Sequence, residues 1–240
     1  MPKRRPALAA ALALAILLAP AAAAQPEREP PVAPPVELPG ELPVSPQGEA
    51  EVPRPPAPPP SWWVGARLGA FDMVNAADSY DAVFGEPMPQ IGLAAEVDFR
   101  HRWRLALSID YGTVDGEQVI LADPPLGTGI DEELTLVPVH LTLAWRLRPR
   151  ARWGGYVGAG PSFLSWKDES ELGTNSGTDF GASLAAGLRR TKPASPWAWG
   201  AELRWSTFPN ALPDTGTAGA FGEDDPGGLA ITVTALRRLR

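Results

Sequence analysis

From Ser61 onward, large apolar residues recur at every second position, and the residues between them are small, polar or charged. This period of two is the signature of strands whose two faces meet different surroundings. The stretch QIGLAAEVDFRHRWRLALSIDYG, Gln90 to Gly112, contains two of them. Ile91, Leu93, Ala95, Val97 and Phe99 oppose Glu96 and Asp98; after the turn RHR, Trp103, Leu105, Leu107, Ile109 and Tyr111 oppose Arg104, Ser108 and Asp110. The same alternation predicts a first strand with Trp62, Val64, Ala66, Leu68 and Ala70 opposite Trp63, Gly65, Arg67 and Gly69. The fourth sets Val137, Val139, Leu141, Leu143, Trp145 and Leu147 against His140, Thr142, Ala144 and Arg146, and in a fifth, Trp153 to Phe163, small residues blur the faces. The sixth sets Phe180, Ala182, Leu184, Ala186 and Leu188 against Gly181, Ser183, Ala185, Gly187 and Arg189. The seventh sets Trp197, Trp199, Ala201, Leu203 and Trp205 against Gly200, Glu202, Arg204 and Ser206, and the eighth Leu229, Ile231, Val233 and Ala235 against Ala230, Thr232 and Thr234.

The links alternate as well. RHR, RPRA and RTKPASP are short, whereas the others are long and rich in Gly, Asp, Pro and Thr. Eight strands with short turns on one rim and long loops on the other predict an all-β fold, an antiparallel up-and-down transmembrane β-barrel with periplasmic turns and extracellular loops. Volume decides against a soluble barrel. An eight-stranded lumen is just wide enough to be filled by side chains; Gly, Ala, Ser, Thr and paired charges fit it, which leaves the bulky apolar face outward, where only lipid suits it.

Aromatic residues separate by rim. Trp62, Phe99, Trp103, Trp145, Trp153 and Trp197 fall beside the short turns or the N-terminal entry, and Phe71, Tyr111, Phe163, Phe180 and Trp205 at the long-loop ends. These are the expected membrane-interface girdles. Trp103 to Tyr111 spans roughly 27 Å of strand, which tilted by about 40° projects to roughly 20 Å, near the ~25 Å apolar band of such barrels. Pro138 and Pro161, which lack a ladder N–H, are expected where pairing ends at the long-loop side.

The chain before Ser61 has a different character. Lys3, Arg4 and Arg5 precede an apolar run from Ala7 to Ala19 and the small residues Ala22 to Ala24, the layout of a Sec signal peptide over residues 1–24. Residues 25–60 are rich in proline and almost devoid of large apolar side chains, so a disordered periplasmic linker is expected there, with peptidoglycan as its candidate partner. The barrel then occupies residues 61–240. With no cysteine, a disulfide framework and a lipidated N-terminus are excluded. The net charge of −7, which becomes more negative without the leader, argues against nucleic acid as a partner.

The hairpin VPVHLTLAWRLRP, Val137 to Pro149, followed by YVGAGPSF, Tyr156 to Phe163, resembles the middle hairpin of small outer-membrane β-barrels of the OmpA and OmpW type. The resemblance covers Ser61 to Arg240 in pattern. It implies an eight-stranded barrel in the outer membrane of a Gram-negative envelope, both termini periplasmic, in contact with outer-membrane lipid and lipopolysaccharide. Such chains usually close on an aromatic residue read by the assembly machinery, a feature that Leu236 to Arg240 lacks.

Inside such a barrel, Arg67, Glu96, Asp98, Arg104, Asp110, His140, Arg146, Arg189, Glu202 and Arg204 are expected to form a lumen charge network, paired because isolated buried charges cost several kcal/mol. A plugged lumen makes the protein structural or surface-interacting. A hydrated lumen makes it a narrow channel for small solutes or ions, and a lipid-acting enzyme is a distant third. Catalysis is not expected: of the two histidines, His101 lies in a turn and His140 has no His-x-Ser partner in its strand. No cofactor is expected, and the scarcity of His and Cys leaves no metal site. The long loops are acidic, among them Asp115, Glu117, Asp131, Glu132, Glu133, Asp168, Glu169 and EDDPGG from Glu223 to Gly228, so divalent cations or a basic partner are candidate surface ligands. The oligomeric state is left open.

Overall fold

The structure, a computed structural model, describes residues 60–99, 102–120, 126–147, 152–192, 195–212 and 221–239. The expected signal peptide over 1–24 and the linker over 25–60, except Pro60, lie outside the described residues, as do Arg100, His101, Arg148, Arg150, Asp123 and Asp214. Alternation that leaves no free edge is satisfied by closure. Strands β1 (Ser61–Asp72), β2 (Met88–Phe99), β3 (Trp103–Ile120), β4 (Leu126–Leu147), β5 (Trp153–Ser170), β6 (Gly173–Thr191), β7 (Trp197–Thr207) and β8 (Leu229–Arg238) form a closed barrel in chain order. β1 closes the ring on β8, from Trp63↔Arg238 to Asp72↔Leu229. Gly65 sits at this seam, where a Cβ would lie 1.8 Å from the Ala235 carbonyl oxygen, so no side chain fits.

The faces follow the alternation. Leu68, Ile91, Leu93, Leu107, Val157, Leu184 and Val233 point outward and are 48% to 64% exposed, whereas Arg67, Arg104, Ser108, Asp110, Thr142, Ser183 and Arg204 are buried inside. An exterior of leucine and valine around an interior of arginine and carboxylate reverses the soluble arrangement. It suits a hydrocarbon surrounding.

Four strands run further than the hydrophobic alternation predicts. β3 and β4 stay paired from Gly112↔Leu136 out to Ile120↔Leu126, and β5 and β6 from Phe163↔Phe180 out to Ser170↔Gly173, so much of two expected loops is ladder. Beyond the apolar band the outer face meets water, and Asp, Glu, Thr and Lys replace the leucines there. The β1–β2 link holds a short helix, α1 (Ala77–Val83), whose N–H groups at Asp78 and Ser79 donate to the Glu223 carboxylate at 3.0 and 2.8 Å. Pro138 and Pro161 lie within strands and not at their ends. The β3–β4 ladder breaks between Ile109↔Val139 and Gly112↔Leu136, and the β4–β5 ladder between His140↔Ser162 and Leu143↔Ala159; each resumes in the same register.

Candidate functional site

The inward face carries two sites of different chemistry, stacked along the barrel. In the lumen, level with the apolar band, inward residues of β1, β5 and β7 converge on Glu202. Its Oε1 accepts from Arg67 Nη2 at 3.2 Å, Arg204 Nε at 3.1 Å and Arg204 Nη2 at 2.8 Å, and its Oε2 accepts from the Tyr156 hydroxyl at 2.7 Å. Arg67 Nε also donates to Asp110 Oδ1 at 3.0 Å, and Arg204 Nη1 to the hydroxyls of Thr142 at 3.0 Å and Ser183 at 3.3 Å. Toward the short turns, Arg104 Nε pairs with Asp98 at 2.8 Å and Glu96 at 3.2 Å, Arg189 Nη1 with Glu96 at 2.6 Å, and Arg146 Nη1 with Asp98 at 3.3 Å. Tyr156 joins the layers, its hydroxyl on Glu202 and its ring 5.0 Å from the Arg104 guanidinium.

All ten residues expected in the lumen lie on the inward face, and nine of them meet in these ion pairs. The tenth, His140, shares a 2.7 Å hydrogen bond through Nδ1 with Ser162 Oγ across the β4–β5 ladder. No spacing within one strand reveals that contact. Tyr156 has no face assigned in the sequence, where small residues blur the alternation of this strand; in the structure it shares the inward parity of Ser162 on β5. Trp63 also turns inward, 2% exposed, with the Arg189 guanidinium 4.2 Å from its ring.

Toward the long-loop end the interior becomes apolar. Phe71, Met73, Tyr80, Met88, Leu134, Leu136, Leu164, Trp166 and Phe208 form one buried cluster that closes this end of the described barrel interior. Phe71, expected in the outer girdle, belongs to this cluster and is 5% exposed; as an odd-numbered residue of β1 it shares the face of Arg67 and Gly69, and its position on the strand overrides its aromatic type. Asp225 of the EDDPGG segment organises the covering loop, accepting from Asn75 Nδ2 at 2.8 Å, the Phe208 and Gly227 N–H groups at 2.7 Å, and the Thr207 hydroxyl. Acidic residues of this segment thus cap a helix and tie a turn. Among the described residues no cluster of three or more His, Cys, Asp or Glu has metal-ligating geometry.

The remaining outer aromatics flank the apolar band. Trp62, Trp153 and Trp197 are exposed at the turn end, with Trp103 edge-on to Trp145 at 4.9 Å and Phe99 half-buried; Tyr111, Phe180 and Trp205 are exposed at the other end, with Phe163 edge-on to Phe180 at 5.2 Å. Trp199 also points outward.

Two carboxyls expected in loops turn inward on the strand extensions beyond Phe163. Glu132 and Asp168 are diagonal neighbours on β4 and β5, above Leu134 and Trp166, and Glu132 Oε2 and Asp168 Oδ1 have no hydrogen-bond partner. Burial first, and then the Asp168 carboxyl, pushes Glu132 up to about 7, and burial pushes Asp168 up from the ordinary carboxylate range. A carboxyl raised on folding holds its proton more tightly in the folded state, so its contribution is complete below the ordinary value of 4.5 and is lost as pH rises through about 7. Screening by water at this rim reduces the loss to on the order of 1–2 kcal/mol. Urea midpoints are expected to fall between pH 5 and pH 8, and Glu132→Gln to flatten that profile; an unchanged profile in the variant contradicts the assignment.

Neither a sequence-family model nor a curated protein sequence matches the chain. Solved structures do. The outer-membrane protein OprG from Pseudomonas aeruginosa is 8% identical with a TM-score of 0.51, over 75% of this chain and 96% of that one. A major outer-membrane protein from Thermus thermophilus is 12% identical with a TM-score of 0.47, over 75% and 99%. Ail, the attachment invasion locus protein of Yersinia pestis, solved in complex with the heparin analogue sucrose octasulfate, is 14% identical with a TM-score of 0.43, over 75% and 97%. The fold is that of the small eight-stranded barrels of outer membranes. The likeness to OprG lies in architecture and not in sequence.

Proposed function

We propose that the protein is a structural, surface-presenting barrel of a Gram-negative outer membrane, exported by the leader over 1–24, with its turns and both termini in the periplasm and the β3–β6 extensions outside. The filled interior carries this reading. Arginine–carboxylate pairs occupy the lumen, the apolar cluster covers its long-loop end, and two cavities beside the network, lined by described residues, are each about 10 Å³, room for about one water. That favours a plug over the alternative, a narrow channel. His140 lines one such cavity and its partner Ser162 is buried, which supports a structural role for this pair over chemistry on a lipid.

The outer face of the extensions supports the surface role. Asp115↔Glu133↔Glu169 run side by side across three strands, and Glu117↔Asp131 sit beside them. Like charges directly opposite destabilise a sheet, so this ladder fits contact with a basic partner or with cation-bridged lipopolysaccharide. Outer-membrane lipid surrounds the apolar band between the aromatic girdles, and the proline-rich segment over 25–60 is assigned to peptidoglycan contact. In planar bilayers the refolded barrel is expected to give no stepwise conductance; resolved steps that vanish on adding bulk at Ser183 would instead establish the channel.

A further inference from the structure

The turn-side girdle carries arginine beside its tryptophans. Arg102 lies 5.4 Å from the Trp145 ring and Arg190 5.4 Å from the Trp153 ring. Arg237, the last outward residue of β8, stands in the ladder between Trp197 of β7 and Val64 of β1. Here the outer surface is concave. Val64, Pro196, Arg237, Arg238 and Leu239 line an open groove of about 490 Å³, far larger than the cavities beside the lumen network. The Arg238 N–H donates to the Pro196 carbonyl at 2.7 Å and the Leu239 N–H to the Trp62 carbonyl at 2.9 Å, which holds the end of β8 in place as one wall. Arg237, Arg238 and Leu239 are exposed, as are Trp62 and Trp197 beside them. The groove therefore offers hydrocarbon along its length and two guanidinium groups at the depth of the aromatic girdle. At the opposite rim the outward row Asp115, Glu133 and Glu169 has the reverse sign.

We propose that this groove binds one phospholipid with a net negative headgroup, its phosphodiester on Arg237 and Arg238 and an acyl chain along Val64 and Leu239. The assignment rests on the outer-membrane reading and names the lipid that the short-turn rim selects. An arginine at an interface lays its stem on apolar surface and carries its guanidinium to the polar layer, where the planar fork matches phosphate oxygens in pairs. A zwitterionic headgroup brings its own ammonium, which two neighbouring arginines repel. The acidic row repels an anionic headgroup, so the preference is confined to the short-turn rim.

The test refolds the full chain into vesicles of equal phosphatidylglycerol and phosphatidylcholine, extracts it into mild detergent, and counts the lipids retained per chain by native mass spectrometry. The wild type is expected to retain one phosphatidylglycerol and little phosphatidylcholine. Arg237→Gln is expected to lower the retained phosphatidylglycerol about fivefold, and Arg102→Gln, on the same girdle but outside the groove, to change it by less than about twofold. A chain that enters the vesicles and retains both lipids alike, or neither, overturns the site and leaves the membrane reading standing. Equal losses in Arg102→Gln and Arg237→Gln overturn it too, since they mark a diffuse attraction of the whole rim. A chain that does not enter vesicles overturns the membrane reading, and the site with it.

Discussion

Glutamine in place of Glu202 is expected to lower the unfolding free energy of the barrel by about 3–5 kcal/mol, the cost of removing one partner from a buried ion pair. The shape is preserved, so the loss is electrostatic. Glu202 accepts three hydrogen bonds from Arg67 and Arg204 and a fourth from Tyr156, and it is 7% exposed. An amide oxygen still accepts, but it carries no charge, and its NH2 faces a donor that already needs an acceptor. Asp110, which accepts from Arg67 Nε, is then the sole anion among the described residues against two guanidinium groups in that layer. Adding Arg204→Met in the same chain removes the excess cation. That double variant is expected to recover a large part of the loss even though Arg204 also bonds Thr142 and Ser183. Urea midpoints of the three proteins in lipid vesicles measure the cycle. A cost below about 1 kcal/mol for Glu202→Gln would mean that water reaches the lumen and screens the charge, which would restore the channel reading.

This network was legible because a period of two assigns each residue to a face without knowledge of its partners. Arg67, Glu96, Arg104, Asp110, Glu202 and Arg204 alternate with leucine, isoleucine, valine and tryptophan, and a narrow lumen compels charges placed inside it to pair. Which charge meets which depends on register across the ring. Arg67 reaches Glu202, 135 residues away in the chain, and Arg189 reaches Glu96, 93 residues away. The His140 and Ser162 contact was hidden for the same reason.

The long-loop end was less legible. The apolar alternation that marks a strand depends on lipid outside, and above the lipid it fades while pairing continues from Thr113↔Thr135 to Glu117↔Asp131. Glu132 and Asp168 therefore read as loop acids. In the same way Phe71 reads as an interface aromatic, although its parity along β1 puts it inside. Residue type predicts a partner only after the face is known, and parity, not composition, settles the face.

Arginine at Leu107 is expected to have the second large effect, about 2–4 kcal/mol of lost stability in vesicles. Leu107 lies midway between Trp103 and Tyr111 on β3, outward and 48% exposed, with Leu141 of β4 and Ala95 of β2 as its ladder partners. A charge there enters hydrocarbon at maximum depth and has no carboxylate beside it. The same substitution at Thr113, further along the same face, lies beyond Tyr111 and beside Glu133, to which Thr113 already donates at 2.9 Å; it is expected to cost about 0–1 kcal/mol. The contrast depends on depth alone, since both positions are outward on one strand. In a water-soluble barrel, Leu107→Arg would replace an exposed leucine by a solvated cation at little cost, and the two variants would unfold alike. Urea titrations of both in one lipid composition therefore decide whether the apolar band meets hydrocarbon, on which the outward placement of every leucine and the inward placement of every arginine rest.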